Sequence, residues 1–465
     1  MSRNPDVPAT ASTSSPLLDR RLGPIDAAAI VVSNVIGGGI FFVPIIVAQM
    51  VPSGGAILWV WLLGGALAFA GAMAYAELSA LRPRAGGEYV YLREAFGPLA
   101  AFLTGWTSFV AGFSGAIAAS ALAVADYVGR FVPAAADATP IFTVPLPFVP
   151  LVVSPKALVA LVPIVVLSLI HIRGLGPGRI VQNALAGLKA GALTLIIALG
   201  FMMASGNSGP GPTTTGLPVS GMLLALVPIM FTYSGWNAAV YVAEEVRNPG
   251  RNVPLALGLG TVTVIVIYVA LNGLYLHVLG AAQLAALPGR LLDVVAERLF
   301  GVAAANAIAV FTIVSLSASI SAMTLAGPRV YYAMAQDGLF LKSASRVHPR
   351  FHTPAFAIVA QSLWTAVLVL SGSLSQLVSY TGFAVILFSA IAVASLFVIR
   401  RRSPDAPRPF RAWGYPWAPA IFVLAGSFMV VNEMIRNGRT AIAGVAVIAA
   451  GVPVYFLFQA RRRVQ

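Results

Sequence analysis

The sequence predicts an all-α polytopic membrane protein of about twelve transmembrane helices, each needing roughly 20 apolar residues. Three observations carry this. Hydrophobic residues make up 58% of the 465 positions and charged residues 9%, with a mean hydropathy of +0.88, far from the balance of a soluble globular chain. Apolar runs of spanning length recur along the chain with no room for a large soluble domain between them. Two of these runs are interrupted by glycine and small polar residues.

In chain order the predicted spans are 27–50, 56–78, 99–124, 157–171, 180–205, 222–243, 253–279, 302–332, 355–372, 374–399, 418–434 and 440–459. The first contains Gly37-Gly38-Gly39. Each glycine costs roughly 1 kcal/mol relative to alanine inside a helix, so three together favour a break. Within a membrane, freed backbone groups are tolerated only where they are buried in protein or line a wet cavity. The sixth span carries the second interruption, Phe231-Thr232-Tyr233-Ser234-Gly235-Trp236-Asn237. Five spans separate the two in order, so the broken helices begin on opposite sides of the membrane, the signature of an inverted repeat. Residues 23–205 and 222–400 are then the two copies, and 401–465 holds spans eleven and twelve with the C-terminus. Small residues at helix contacts are the plainer explanation of either patch alone. Their occurrence in corresponding spans favours a binding site.

Residues 1–22 are rich in Ser, Thr, Pro and Ala and read as a disordered cytoplasmic tail without the layout of a signal peptide. The net charge of +14 is explained by its distribution. With the N-terminus in the cytoplasm, 22 of the 29 Lys and Arg residues fall on cytoplasmic segments, the positive-inside bias. Both termini are expected in the cytoplasm of a cell inner (plasma) membrane protein. Arg400-Arg401-Arg402 and Arg461-Arg462-Arg463 become flanks facing anionic lipid. Nucleic-acid binding is disfavoured, because no stacking platform accompanies the charge. The chain has no cysteine, which excludes thiol chemistry and cysteine metal sites. Its four histidines lack ligand spacing, so neither metal nor cofactor is expected. A membrane enzyme would need a nucleophile or metal constellation, and neither G-x-S-x-G nor H-E-x-x-H occurs. A channel would need rings of charge or carbonyl filters from several subunits.

Three motif groups resemble the amino acid–polyamine–organocation transporter superfamily, and within it the L-type amino-acid transporter branch. They are Ile36-Gly37-Gly38-Gly39-Ile40-Phe41 with Pro44; Phe231 to Asn237 running into Glu244-Glu245-Val246-Arg247-Asn248-Pro249; and Pro328-Arg329-Val330-Tyr331-Tyr332-Ala333-Met334-Ala335 with Asp337-Gly338. The resemblance spans roughly residues 23–400. It implies a LeuT-type fold and amino-acid transport by alternating access, as an exchanger or coupled to protons. Helix N-termini carry partial positive charge and free N–H groups. The second half of span one, beginning at Gly38, Gly39 and Ile40, therefore suits a carboxylate. Freed carbonyls at Val35 and Ile36, and around Phe231, Thr232 and Ser234, suit an α-ammonium. Tyr233 lies in the same interruption, and Trp236 and Asn237 follow it and are expected to face the pocket. Phe231 matches the family's aromatic lid. Gly38 stands where the family often has Ser or Thr, so the carboxylate site offers only a backbone N–H there and the cavity floor is wider.

Lys189 is the only Lys or Arg deep within a span. No Asp or Glu lies near the middle of any predicted span to neutralise it. An intramembrane charge is a functional hypothesis by default. In the resembled superfamily, proton-coupled and exchanger members carry a lysine in span five where sodium-coupled relatives bind a cation. Lys189 is therefore the expected coupling residue, with support of span-one carbonyls as the plainer reading. Glu244, Glu245 and Arg247 lie where span six meets the cytoplasm and are candidate gate residues. The absence of mid-span acids favours neutral amino acids over cationic ones or polyamines. Without cysteine, no disulfide attaches a heavy subunit of the kind found with animal L-type transporters.

Overall fold

The computed structural model describes residues 18–145, 150–204, 219–287, 291–371, 374–436 and 438–464. Residues 1–17 of the expected tail lie outside these. Leu18 to Leu22 is not a loose tail. Leu18 and Leu22 are buried, the Arg21 and Leu22 N–H groups both donate to the Glu245 carbonyl, and the Arg247 N–H donates to the Leu22 carbonyl. A polar composition hid two leucines that seat this segment.

The first span is interrupted as its glycines predict. α1 (Pro24–Val35) stops, a single 3-10 turn covers Gly39–Phe41, and α2 (Val43–Met50) resumes with Pro44 in its first turn, where a missing N–H costs nothing. α3 (Gly54–Leu81) follows. Next comes α4 (Glu88–Phe96), a short helix between spans that is too polar to register in hydropathy. α5 (Pro98–Thr107) and α6 (Phe113–Val128) form the third span, joined through a π-helical turn at Ser108–Gly112. Such turns free backbone groups, often beside functional sites. Here the Ser108 carbonyl accepts from Tyr331 at 3.2 Å and the Val110 carbonyl from Trp364 at 2.9 Å. A short hairpin, β1 (Phe142–Val144) with β2 (Leu151–Val153) antiparallel, precedes α7 (Pro155–Ile172) and α8 (Leu175–Met203).

The sixth span is also interrupted: α9 (Val219–Tyr233) ends, and α10 (Ala238–Tyr241) is a single turn. α11 (Pro249–Ala285) departs from helical geometry at Gly280, φ 72°, at the predicted end of span seven. α12 (Leu291–Phe300), α13 (Val302–Gln336), α14 (Ala355–Leu370), α15 (Leu374–Arg402), α16 (Trp417–Arg436) and α17 (Gly438–Val464) complete the chain. Among the described residues, nine helices are long and apolar enough to cross a membrane, and α1, α9 and α14 are shorter apolar helices. In chain order they take up the spans that hydropathy predicts.

Burial separates an inner bundle from a lipid-facing rim. α13 is the most enclosed spanning helix, whereas α8, α16 and α17 are mostly uncovered. On α8 the exposed residues are mostly apolar, Leu188, Leu195 and Leu199 among them, while Gln182 and Lys189 point inward. That is the reverse of a soluble amphipathic helix and suits hydrocarbon as the solvent.

One face of the bundle, where the chain enters α1, is sealed by ion pairs, one of them fully buried. Arg329 and Glu245 are fully buried and pair bidentately at 2.9 and 3.0 Å. Glu77 accepts from Arg400 and from the Ala412 N–H. Arg93 and Tyr89 both meet Asp337. Removing one partner of a buried pair leaves an uncompensated charge, at a cost of about 3–5 kcal/mol. Arg329→Met is expected to lower the thermal unfolding midpoint of the detergent-purified protein sharply, and adding Glu245→Gln to recover much of the loss. Equal midpoints for Arg329→Met and the parent would show that the pair does not hold this face.

Candidate functional site

The two interruptions lie against each other. A Cβ built on Gly39 would stand 3.0 Å from the Thr232 hydroxyl, and one on Gly235 would stand 2.9 Å from Asn34. Gly235 also has φ +100°, a conformation strained for any side chain. These two glycines let the broken helices touch backbone to backbone.

Beside the contact lies a cavity of about 690 Å³. Of the residues singled out by sequence, Val35, Gly37, Gly38, Gly39, Phe231, Thr232, Ser234 and Asn237 line it. The N–H groups of Gly38, Gly39 and Ile40 have no hydrogen-bond acceptor among the described residues. They form a cluster of donors at the start of the resumed helix, where an anion is favoured. Ile36 and Ile40 do not line the cavity: their side chains are buried in the apolar core. Gly38 has room: its Cβ would meet only Leu316, at 3.9 Å.

The carbonyls on the other side of the break are already engaged. Lys189, fully buried, directs its ammonium at the end of α1. It donates to the Ser33 carbonyl at 3.1 Å, to the Ile36 carbonyl, and to the Ser319 hydroxyl at 3.0 Å. Ser319 in turn reaches the same two carbonyls, at 2.9 and 3.1 Å. The Val35 carbonyl accepts from Tyr268 at 2.9 Å. All three ammonium donors are thus used without a carboxylate. A group for a substrate ammonium is found rather at the second break, where the Ser234 carbonyl has no hydrogen-bond donor among the described residues.

Other expected residues point elsewhere. Trp236 does not line the large cavity. The turn at Gly235 sends its indole outward to pack on Tyr75 and Phe422, with ring centroids 4.8 and 5.6 Å away. Tyr233 lies behind the break and donates to the Trp61 carbonyl at 3.2 Å. Phe231 stands at the cavity wall against Gly382. Of the gate candidates, Glu245 pairs with Arg329 and Glu244 accepts from the Ala85 N–H at 3.0 Å. Arg247 takes part through its backbone alone, its side chain being exposed.

Sequence reasoning missed the acid in the cavity. Glu88 lies outside every span, at the first turn of α4, yet it is buried and lines the cavity. Its Oε1 accepts from Tyr75 at 2.6 Å and from Asn237 at 2.7 Å. Burial pushes its carboxyl above the usual range, and hydrogen bonds from Tyr75, Tyr241, Asn237 and Ser389 oppose that shift. The expectation that no acid is available to the site therefore fails, because a loop helix supplies one. Its signal was the preceding Gly86-Gly87. Both have positive φ, and their built Cβ atoms would stand 2.7 Å from Ala333 and Tyr241 respectively.

A many-spanning helical bundle with two broken helices facing one cavity defines a membrane carrier. The chain belongs to the amino acid permease family, whose pattern matches residues 22–458, and it is a transporter rather than an enzyme. It is 30% identical over 453 residues to the human cystine/glutamate transporter, covering 95% of this chain and 85% of that one. It is 28% identical over 463 residues to the mouse large neutral amino acids transporter small subunit 2, covering 98% and 84%. The serine/threonine exchanger SteT of Bacillus subtilis (strain 168) is 27% identical over 450 residues, covering 96% and 98%.

Because Gly38 faces open space, Gly38→Ser is expected to leave the unfolding midpoint unchanged, to strengthen binding of small amino acids and to exclude the largest. Equilibrium binding across a size series measures this. Uniform weakening at every size would contradict the assignment of this position to the cavity floor.

Proposed function

We propose that this permease carries neutral amino acids across the plasma membrane by alternating access, with both termini in the cytoplasm. The observation that carries the reading is the cavity between the two breaks. Unpaired N–H groups at Gly38, Gly39 and Ile40 offer one end for a carboxylate. The Ser234 carbonyl beside the second break, without a donor among the described residues, offers the other for an ammonium. A zwitterion is then held largely by backbone, and the mostly apolar wall selects the side chain. In this reading the two halves, 23–205 and 222–400, are related by an in-plane pseudo-two-fold axis. The sealed face, rich in Arg, is the cytoplasmic one. The names of the relatives, which include large neutral and serine/threonine substrates, support neutral substrates and exchange.

A second reading has a specific observation behind it. Glu88 lines the cavity, and an ionised carboxylate there favours a cationic side chain. It ranks below the first because neutral donors already surround that carboxylate. Lacking cysteine, the chain has no disulfide route to a second subunit and is read as working without one.

Lys189 is the coupling residue in this account. It fills the place of a bound cation at the end of α1, and its proton is the coupled species. A thermal-shift panel of the twenty amino acids, followed by counterflow uptake into liposomes with and without a pH gradient, tests both parts. Neutral amino acids should dominate the hits. Lys189→Ala should reduce uptake to about a tenth or less, as expected for losing a charge-assisted hydrogen bond, and abolish its pH dependence. A hit list of amines lacking a carboxylate would overturn the substrate reading, and an unchanged pH profile in Lys189→Ala would overturn the coupling.

A further inference from the structure

Residues 85–89 connect the cavity to the sealed face, one contact after another. The Ala85 N–H donates to Glu244 at 3.0 Å, and the Gly86 N–H to the Tyr241 carbonyl at 3.3 Å. The Glu88 carboxylate takes hydrogen bonds from Tyr75 on α3, from Asn237 and Tyr241 flanking and within α10, and from Ser389 on α15. Tyr89 then donates to Asp337 at 2.9 Å, which also pairs with Arg93. Four elements from distant parts of the chain thus meet at one carboxylate. Two of its partners, Asn237 and Tyr241, line the same cavity as the broken backbone.

Such an arrangement suits a carboxylate at its centre. Tyr75, Asn237 and Ser389 are placed to give hydrogens to it, and a carboxylate offers two acceptor oxygens where an amide offers one. Charge-assisted bonds of this kind are roughly twice as strong as neutral ones. The close approach also fixes the neighbours. Gly87 lies so near Tyr241 that a Cβ would stand 2.7 Å from its ring, so α4 and the second half of the broken span are held against each other. Opening the sealed face then requires this junction to separate.

We infer that Glu88 is a positioning residue for transport: it ties the floor of the substrate cavity to the sealed face, so that the face opens only when this junction is drawn apart. The inference rests on the reading of the cavity as the substrate site. It assigns Glu88 no contact with substrate. Asn237 is the shared element, because its side-chain amide holds Glu88 while its position faces the cavity. A substrate seated there bears on the seal through that amide and through Tyr241, which lines the same cavity.

The absence of cysteine makes the chain its own background for a labelling test. Ala85, buried on the sealed face, is replaced by Ala85→Cys, and labelling by a water-soluble maleimide is timed in detergent and in liposomes. Adding Glu88→Gln should speed labelling about tenfold, since a hydrogen bond to a charged group is lost, and should lower the maximal uptake rate more than it changes KM. Glu88→Asp, which keeps the charge, should restore most of the parent behaviour. Labelling at the parent rate in Glu88→Gln would overturn the proposal. Should that variant not fold, Tyr75→Phe removes one bond and is expected to give a smaller acceleration; no acceleration there overturns the proposal equally. A thermal shift by substrate is read in every variant. If no amino acid shifts even the parent, the substrate reading has failed, whereas a normal shift with unchanged labelling condemns the Glu88 junction alone.

Discussion

A broken helix inside a membrane must have its backbone satisfied by protein, and in this chain Lys189 meets that requirement. The carbonyls of Ser33 and Ile36 end α1 where lipid offers no donor. The ammonium and the Ser319 hydroxyl supply one from α8 and α13. Tyr268 on α11 does the same for Val35. Three helices thereby converge on one interruption. With the carbonyl end occupied, the N–H end at Gly38, Gly39 and Ile40 is what the break leaves for a ligand. The asymmetry of the break, closed on its acceptor side and unpaired on its donor side, gives the site its polarity.

The second break is satisfied differently, and the difference matters for how the halves can move. Around Phe231 to Asn237 a local turn reuses its own groups, the Ser234 N–H donating to the Phe231 carbonyl, and the Tyr268 hydroxyl that serves Val35 also reaches the Thr232 carbonyl at 3.3 Å. The further tether is the side chain of Asn237, bound to Glu88. One break is thus anchored to neighbouring spans by a cation and the other to a loop helix by an anion. The buried Glu245–Arg329 pair lies just beyond the second. Buried pairs contribute little net stability but resist any state that separates them. That is the behaviour wanted at a seal that must be either shut or open.

The bundle was legible in the sequence because hydrocarbon demands long apolar runs, and those runs are easily counted. The two interruptions were legible for the same reason: glycine triplets and Ser-Gly pairs stand out within them. What pattern reading did not reach was direction. Nothing in Trp236-Asn237 reveals that the positive φ of Gly235 turns the indole toward α16 and the amide toward the cavity. Hydropathy also discounts what lies between spans. Glu88 and α4 were passed over on that account, and Leu18 and Leu22 were lost in a polar tail although both are buried. The π-helical turn at Ser108–Gly112 has no compositional mark at all. In each case the deciding interaction is long-range, and local sequence carries no record of it.

The central claim is that the cavity holds a zwitterion at both charged ends through backbone. Competition for uptake into liposomes between a transported amino acid, its methyl ester and the corresponding decarboxylated amine tests this most directly. With the corresponding des-amino carboxylic acid added to the set, the account predicts that removing the carboxylate abolishes competition as completely as removing the ammonium does. Equal competition by the decarboxylated amine would contradict it.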